Sequence, residues 1–271
     1  MPSLVGSEMC IRDRDYFISN HRGHAHYLAK NCSVLKMFSE LLGKKNGCSS
    51  GNGGSMHLTD DTKKFIGTTA IVSSSIPVGV GYAEALKIKK KKSKVIIFLG
   101  DAATEEGIFY ECINYVALKK LPVVFILENN QYSVYSHLKK RQPKNRKINK
   151  FVKFMGIKTY YFDEENPIYL YKKLKNVLDK NLQPLLIQIP TSRYYEHCGV
   201  NNDDNLNYRK KSFIDYWKKK DPIKIMRSFM IKKNVLKEKN VEMLEKNINS
   251  LNDKFFKNAL KKKFPKKIIH E

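Results

Sequence analysis

A carboxylate and a carboxamide each follow a short apolar segment of this chain, at a spacing that could hold a metal ion. Asp101 comes after the run 95–99 and Asn130 after the run 123–127, within Gly-Asp-Ala at 100–102 and Asn-Asn at 129–130. Carboxylate and carboxamide oxygens are hard ligands, suited to Mg²⁺ or Ca²⁺ and not to zinc. Because Mg²⁺ completes its coordination with substrate phosphates and water, the pair predicts a metal-bridged diphosphate. For either half alone, an ordinary turn after a strand is the stronger interpretation.

The elements that must position these two side chains can be predicted from the same region. Both apolar runs are short and rich in β-branched residues, which is typical of strands buried in a parallel sheet. Apolar residues between 108 and 117 recur at helical spacing, with Thr104 predicted to cap the helix and Glu105 and Glu106 to suit its positive end. Open parallel sheets bind ligands at the carboxyl edge of their strands. We therefore predict an α/β fold with a mostly parallel sheet flanked by helices on both faces.

Further blocks of sequence accompany this unit. The segment 100–130 resembles the thiamine diphosphate motif, which is Gly-Asp-Gly followed some two dozen residues later by Asn-Asn. The other blocks are, in chain order, 20–30 (NHRGHAHYLAK), 47–58 (GCSSGNGGSMHL), 67–81, 121–135 and 193–208. Together they resemble, over roughly residues 16–225, the α subunit of the first component of 2-oxo acid dehydrogenase complexes. The resemblance implies the thiamine diphosphate-binding fold, with thiamine diphosphate and Mg²⁺ as cofactors.

The resemblance also implies which residues bind the cofactor. Arg22 is the expected contact to the diphosphate, since a planar guanidinium matches phosphate oxygens, and an arginine in a surface loop is the alternative. The backbone of residues 70–72 is expected to meet the aminopyrimidine ring. The predicted cofactor-binding residues are His21, Arg22, Ala70, Ile71, Val72, Gly100, Asp101, Ala102, Ala103 and Asn130. The predicted metal-ligating residues are Asp101, Asn130 and Tyr132.

Two histidines are predicted to be catalytic. His57 ends the glycine-rich segment 51–57, which lines the active-site entrance in the family, and a histidine there can hydrogen-bond an anionic substrate. A structural histidine is nearly as well supported at that position. His197 follows Arg193 in the pattern of a variant subfamily, with Tyr195 in place of the first histidine of the commoner pattern. Its expected tasks are binding of the diphosphate and proton transfer.

Two departures from the family pattern fall beside the predicted metal site. Ala102 replaces the second glycine of Gly-Asp-Gly, and Ser73 replaces a common glycine after Ile-Val. A methyl group at position 102 is tolerable if the residue has a negative φ and costly if the turn requires a positive φ. A degenerate, weakly active copy of the enzyme is therefore a minor alternative.

The reaction that the resemblance implies requires a second subunit. The family oxidatively decarboxylates a 2-oxo acid and transfers the acyl group to a lipoyl group, so the predicted enzyme is an oxidoreductase with a disulfide acceptor. Pyruvate is the first choice of substrate, and acetoin or a branched-chain 2-oxo acid is the alternative. The glutamate that activates the cofactor belongs to the β subunit, which no block of this chain resembles. We expect activity only in an α₂β₂ heterotetramer that serves a lipoyl-bearing acyltransferase, with residues 133–150 as a loop at the entrance.

The charge of the chain supports an alternative of another class. Its 51 basic and 26 acidic side chains give a formal net charge of +25, which suits a non-catalytic basic binding protein on a degenerate enzyme fold. The excess lies in lysine-rich patches without interleaved arginine and aromatic residues, so solvated surface is preferred and no nucleic-acid partner is expected. The apolar runs are too short for a membrane span. Five scattered cysteines fit reduced thiols and a cytoplasmic protein, or one of the mitochondrial matrix in a eukaryote.

The two ends of the chain complete the predicted organisation. Residues 1–14 match neither the family nor a targeting sequence, and we predict a non-native junction or disordered stub before an N-terminally truncated domain. Residues 15–225 then form the thiamine diphosphate-binding domain. Residues 226–271 are predicted to be a lysine-rich helical tail of that domain.

Overall fold

Six parallel strands form one sheet at the centre of the computed structural model, which describes residues 13–164, 166–180 and 183–266. In chain order the strands are β1 (Tyr16–Asn20), β2 (Phe65–Thr69), β3 (Val95–Gly100), β4 (Val123–Asn129), β5 (Tyr132–Ser133), β6 (Ser136–His137), β7 (Lys158–Tyr161) and β8 (Leu185–Pro190). The order across the sheet is β2-β1-β3-β4-β8-β7, and β5 and β6 form a separate antiparallel ribbon. Most of the predicted stub at 1–14 lies outside the described residues.

Helices cover both faces of this sheet, as predicted. In chain order the described helices are α1 (His24–Ala29), α2 (Val34–Leu41), α3 (Ser75–Ile88), α4 (Gly107–Lys119), α5 (Leu138–Arg141), α6 (Ile148–Phe154), α7 (Pro167–Lys180), α8 (Lys211–Lys219), α9 (Pro222–Lys232) and α10 (Glu238–Leu260). On one face α3 and α4 contribute Ile76 and Ile113 to the core, and on the other α7 contributes Leu170 and Leu174. Each such fully buried side chain stabilises the layers by about 1.5–3 kcal/mol.

The two strands predicted from the apolar runs are neighbours at the centre of the sheet. β3 pairs in parallel with β4, in a register that sets Val95 opposite Val123 and Gly100 opposite Glu128. Residues 95–99 are each at most 1% exposed, so the run shows no alternation because both faces of the strand are covered. This register brings the residues that follow β3 and β4 to the same edge of the sheet.

The start of the helix after β3 differs from the prediction. A 3₁₀ turn, Asp101–Glu105, intervenes, and α4 begins at Gly107 with Glu106 as its N-cap. Thr104 does not cap the helix, because its hydroxyl donates to the carbonyl oxygen of Asp101 at 2.7 Å. The glutamates precede the first helical turn and do not occupy it. The tighter 3₁₀ turn uses the residues that the sequence pattern assigned to the start of an α-helix.

The lysine-rich C-terminal segment returns to the N-terminal part of the fold. α10 packs along α2, where the rings of Phe38 and Phe256 meet edge to face with their centroids 5.9 Å apart, and Ala259 is fully buried. The amide of Lys45 donates to the carbonyl oxygen of Lys263 at 2.9 Å. The described part of 226–271 is thus mostly helical and packs against the body of the protein. Among the described helices, none combines the length and the apolar character that crossing a membrane requires.

Two glycines of α3 give opposite predictions for the same substitution. A methyl group on Gly79 would lie 2.7 Å from Cδ1 of Ile97 on β3, whereas one on Gly81 meets nothing within 4 Å. Gly79→Ala is expected to destabilise the protein by about 1–3 kcal/mol through overpacking. Gly81→Ala is expected to stabilise it by up to about 1 kcal/mol through helix propensity. Urea unfolding measures both, and shifts of the same sign would contradict the close approach of α3 to the sheet.

Candidate active site

Loops at the carboxyl ends of five strands converge on one cavity. The residues that line it lie at or after the ends of β1, β2, β3, β4 and β8. Eleven of the predicted site residues are among them, namely His21, Arg22, Ile71, Val72, Gly100, Asp101, Ala102, Ala103, Asn130, Tyr132 and His197. The shared carboxyl edge of the parallel sheet is what assembles the site, as the strand-helix-strand pattern predicted.

Asp101 is a buried carboxylate in this cavity, with only 4% of its surface exposed. Burial raises the pKa of its carboxyl, and the guanidinium of Arg141 opposes that shift by donating to Oδ2 at 2.5 Å. The same guanidinium donates through Nη1 to the carboxylate of Glu105. Asp101 is therefore held in a fixed orientation, which a metal-ligating carboxylate requires.

The side chain of Asn130 lies in a tight local turn. Its Oδ1 accepts from the amide of Tyr132 at 2.8 Å, and Oδ1 of Asn129 accepts in the same way from Gln131 at 3.0 Å. A carbonyl oxygen has a second lone pair, so Asn130 can hold the turn and still ligate a cation. Within the described residues, no three His, Cys, Asp or Glu side chains are grouped to hold a metal ion. A cation here would depend on one carboxylate, carbonyl oxygens and a phosphate ligand, which is the pattern typical of Mg²⁺.

His21, Arg22 and His197 form the basic part of the cavity. Nη1 of Arg22 donates to the carbonyl oxygen of His197, and the rings of the two histidines lie 5.2 Å apart between centroids. Burial, followed by the charges of Arg22, His21 and Arg193, lowers the pKa of His197 to about 4. Burial and Arg22 also lower the pKa of His21. His197 is therefore uncharged at neutral pH, and Arg22 supplies a positive charge for an anion.

A buried hydrogen-bond network holds the loop after β8 in place. Arg193 donates to the hydroxyl of Tyr208 at 2.7 Å and to the carbonyl oxygen of Val134 at 2.6 Å. Tyr208 donates to Asp203 at 2.5 Å, and Arg209 pairs with the same carboxylate and donates to the carbonyl oxygen of Arg193. Because Val134 lies between β5 and β6, the network ties the loop after β8 to the loop after β4.

The two departures from the family pattern differ in their backbone conformation. Ser73 takes a left-handed conformation with a φ of 68°, which is the region that favours glycine. Its hydroxyl donates to the carbonyl oxygen of Ala103 at 2.8 Å and so links the loops after β2 and β3. Ala102 lies in the 3₁₀ turn and is not among the residues with a positive φ. Its methyl group therefore introduces no backbone strain.

The glycine-rich segment folds around a buried carboxylate, that of Glu40 on α2. This fully buried side chain accepts hydrogen bonds from the amides of Ser49 at 2.7 Å, Gly51 at 2.9 Å, Gly53 at 2.6 Å and Gly54 at 3.2 Å. Amides of one loop that converge on one anion form a concave anion site similar to a backbone nest. The carboxylate of Glu40 therefore determines the conformation of this loop.

Two of the predicted site residues, His57 and Ala70, do not line the cavity. A wider outer groove beside it is lined by Ser55 and Met56, together with His197. The exposed His57 follows these residues, and its carbonyl oxygen accepts from the hydroxyl of Ser49 at 2.5 Å. Ala70 immediately precedes the cavity-lining residues of the loop after β2. The catalytic role of His57 and the cofactor contact of Ala70 stay predictions.

Two charged residues of the site were missed in the sequence. Arg141 contacts Asp101 across 40 residues, and nothing in its neighbourhood distinguishes it from the surrounding lysines. Glu128 lines the cavity while only 4% exposed, with its Oε1 3.7 Å from Nε2 of the buried His26. A carboxylate at the end of an otherwise apolar strand is unusual, and that signal could have identified Glu128.

The low pKa of His197 makes the stability of the protein depend on pH. The value is about 4 in the folded protein against 6.5 for an unperturbed histidine, so the unfolded chain binds the proton more readily. The contribution of His197 is fully present above pH 6.5 and is lost as the pH falls toward 4. We expect the thermal unfolding midpoint to decrease over this window and to decrease less in His197→Gln. Parallel pH profiles for the two proteins would contradict a half-buried, neutral imidazole.

Comparison with known proteins agrees with this geometry. The sequence model of the family described as "Dehydrogenase E1 component" matches residues 3–268. A pyruvate dehydrogenase E1 component subunit alpha from Rickettsia bellii is 32% identical over 247 residues, which are 90% of this chain and 74% of that protein. A mitochondrial subunit alpha-2 from Arabidopsis thaliana is 31% identical over 90% of this chain and 62% of its own length. Transketolase from Campylobacter jejuni shares the fold, with a TM-score of 0.51 and 20% identity over 70% of this chain and 30% of that chain.

The fold and the site define an α/β protein whose parallel sheet offers an acidic and a basic group to a ligand at its carboxyl edge. The chain belongs to the dehydrogenase E1 component family. The family match begins at residue 3, within the segment 1–14. The non-native origin of that segment stays a prediction.

Proposed function

We propose that this chain is the α subunit of a pyruvate dehydrogenase first component. In this function it takes part in the thiamine diphosphate-dependent oxidative decarboxylation of pyruvate, with acyl transfer to a lipoyl group. The observation that carries the proposal is the placement of Asp101 and Asn130 after neighbouring strands, in a cavity that also contains Arg22. The relatives named as pyruvate dehydrogenase E1 alpha subunits support pyruvate as the substrate.

The oxygen-bearing residues of the cavity fit Mg²⁺. Asp101 would supply a carboxylate oxygen and Asn130 a carboxamide oxygen, with Tyr132 as the third ligating residue. The buried, oriented carboxylate of Asp101 supports this assignment, since metal-ligating carboxylates are themselves held by hydrogen bonds. The remaining coordination positions suit phosphate oxygens and water.

The rest of the cavity fits thiamine diphosphate. The guanidinium of Arg22 would take the diphosphate, because its donors match phosphate oxygens. Ile71 and Val72 are 70% and 47% exposed at the cavity, an unusual exposure for apolar side chains that a bound aromatic ring would relieve. When bound, thiamine diphosphate supplies the electron sink for decarboxylation.

His197 would act on the substrate side of this site. With a pKa of about 4 its ring is neutral near pH 7, so a ring nitrogen can accept a hydrogen bond or a proton. Arg22, which is hydrogen-bonded to the backbone of His197, would remain charged beside it and hold the diphosphate. The neutral imidazole of His197 and the positive charge of Arg22 therefore lie side by side.

The proposal includes partners that complete the active site. In an α₂β₂ heterotetramer the β subunit would supply the activating glutamate and cover the exposed apolar residues at the cavity. A lipoyl-bearing acyltransferase would accept the acyl group. The hydroxyl of Ser73 links two loops of the site, and Ala102 has no backbone strain. Both observations support an active enzyme over a degenerate basic binding protein. We further propose a cytoplasmic location, or the mitochondrial matrix in a eukaryote.

Co-expression with the β subunit tests this function. We expect the purified complex to decarboxylate pyruvate with an artificial electron acceptor, and to require both thiamine diphosphate and Mg²⁺. The same assay with acetoin and with branched-chain 2-oxo acids ranks the substrates. A complex that binds no thiamine diphosphate would overturn the proposal, and a preference for another substrate would change only the specificity.

A further inference from the structure

One arginine of the loop 133–150 connects that loop to the 3₁₀ turn after β3. Arg141, at the end of α5, donates to Oδ2 of Asp101 at 2.5 Å and to the carboxylate of Glu105. Its Nε donates to the carbonyl oxygen of Ser136 at 3.2 Å, which fixes the guanidinium to the ribbon of β5 and β6. The neighbouring Gln142 donates to the same carboxylate of Glu105 at 2.5 Å. Two carboxylates of one turn are therefore held by adjacent residues of one loop.

The geometry of these contacts requires an arginine. Its guanidinium is a rigid, planar fork that can bridge two carboxylates and still donate to a backbone oxygen, whereas the lysine ammonium is a point charge on a flexible stem. The side chains of Arg141 and Asp101 are 14% and 5% exposed, so water screens the pair only weakly. The carboxylate of Asp101 consequently has little freedom to rotate.

We propose that Arg141 is a positioning residue for the divalent cation. It holds Asp101 in the orientation in which that carboxylate ligates the cation, and it ties the loop 133–150 to the turn that bears this ligand. This inference rests on the proposed function, in which Asp101 is a metal ligand. Partners of this kind orient the ligand atoms without contacting the metal.

The other cations of the loop do not share this role. Arg146 donates to the carbonyl oxygen of Thr104 and to the hydroxyl of Tyr110 at 2.7 Å, so it holds the far end of the turn. Lys140 is exposed on the same short helix as Arg141. It offers a matched control, because its replacement removes the same charge one residue away.

The test compares Arg141→Ala, Arg141→Lys and Lys140→Ala, each in the complex with the β subunit. Mn²⁺, counted by electron paramagnetic resonance in the presence of thiamine diphosphate, is the probe. We expect Arg141→Ala to weaken Mn²⁺ binding about 10–100-fold, the usual effect of removing a partner of a metal ligand. Arg141→Lys should recover part of this loss because it keeps the charge, and Lys140→Ala should bind as the parent does.

Trypsin cleavage in the loop, which contains several lysines, gives a second measurement that does not depend on catalysis. We expect Mn²⁺ and thiamine diphosphate to slow cleavage in the parent and in Lys140→Ala, and to have little effect in Arg141→Ala. Mn²⁺ binding by Arg141→Ala within threefold of Lys140→Ala would overturn the inference. If the parent complex itself binds no Mn²⁺ and no thiamine diphosphate, the proposed function fails instead. Unfolding midpoints of all variants show whether each is folded.

Discussion

Asp101→Asn is expected to weaken Mg²⁺-dependent retention of thiamine diphosphate strongly while the fold remains at least as stable as the parent. Asparagine keeps one ligating oxygen but removes the negative charge that attracts Mg²⁺, so cofactor binding should weaken by about 100-fold, the upper range for disturbing a ligand's hydrogen-bonded partner. Burial raises the pKa of the Asp101 carboxyl, which means that the folded protein disfavours its charged form. A neutral amide of the same size relieves that penalty, its Oδ1 can still accept from Arg141, and Glu105 continues to pair with that guanidinium. Binding and stability should therefore change in opposite directions.

Retention of the cofactor is measured by equilibrium binding of thiamine diphosphate, with and without Mg²⁺, to the complex with the β subunit. The stability of the fold is measured by urea unfolding near neutral pH. Asp253→Ala, which removes an exposed carboxylate of α10 far along the chain, is the matched control and should leave both unchanged. Undiminished Mg²⁺-dependent retention in Asp101→Asn would refute the assignment of this residue as a ligand.

Glu40→Ala is expected to destabilise the protein by about 4 kcal/mol, because several backbone donors lose their acceptor. The carboxylate accepts from the amides of four loop residues and is fully buried. Its removal leaves several backbone donors without a partner, and each buried one costs about 1–3 kcal/mol. The loop 47–57 should open, and with it the outer groove to which Ser55 and Met56 contribute.

Urea unfolding measures the loss of stability, and hydrogen exchange of the amides of residues 49–54 locates it. Glu111→Ala, an exposed glutamate of α4, should change the free energy of unfolding by no more than about 0.5 kcal/mol. The stability of Glu40→Gln is expected to fall between those of Glu40→Ala and Glu111→Ala, because its amide oxygen still accepts while its amide nitrogen faces backbone donors. Retained protection of these amides in Glu40→Ala would show that the loop is held by other contacts.

Prediction from the sequence was correct for features that depend on residues close together in the chain. Runs of β-branched residues identified β3 and β4, and their ends placed Asp101 and Asn130 at one edge of the sheet. Eleven predicted residues from five separate loops line one cavity because a parallel sheet brings the carboxyl ends of its strands together. The resemblance supplied which ligand such an edge would bind.

The features that could not be predicted from the sequence depend on contacts between residues that lie far apart in the chain. Arg141 looks like any other cation in a lysine-rich loop until the fold brings it to Asp101. Glu40 occupies an ordinary helical position, and only the path of the glycine-rich loop makes it the centre of a nest. The position of His57 outside the cavity has the same origin, since a histidine after a glycine-rich loop can point in several directions.

The order of strands also has a consequence for the synthesis of the chain. β7 pairs only with β8 in the described sheet, although β8 is made about two dozen residues later. A nascent chain that has left the ribosome only as far as β7 therefore carries an edge segment with nothing to pair with. The loop bearing His197 emerges later still, and the formation of long-range parallel pairs is slow. An N-terminal fragment that ends before His197 therefore lacks part of the ligand cavity.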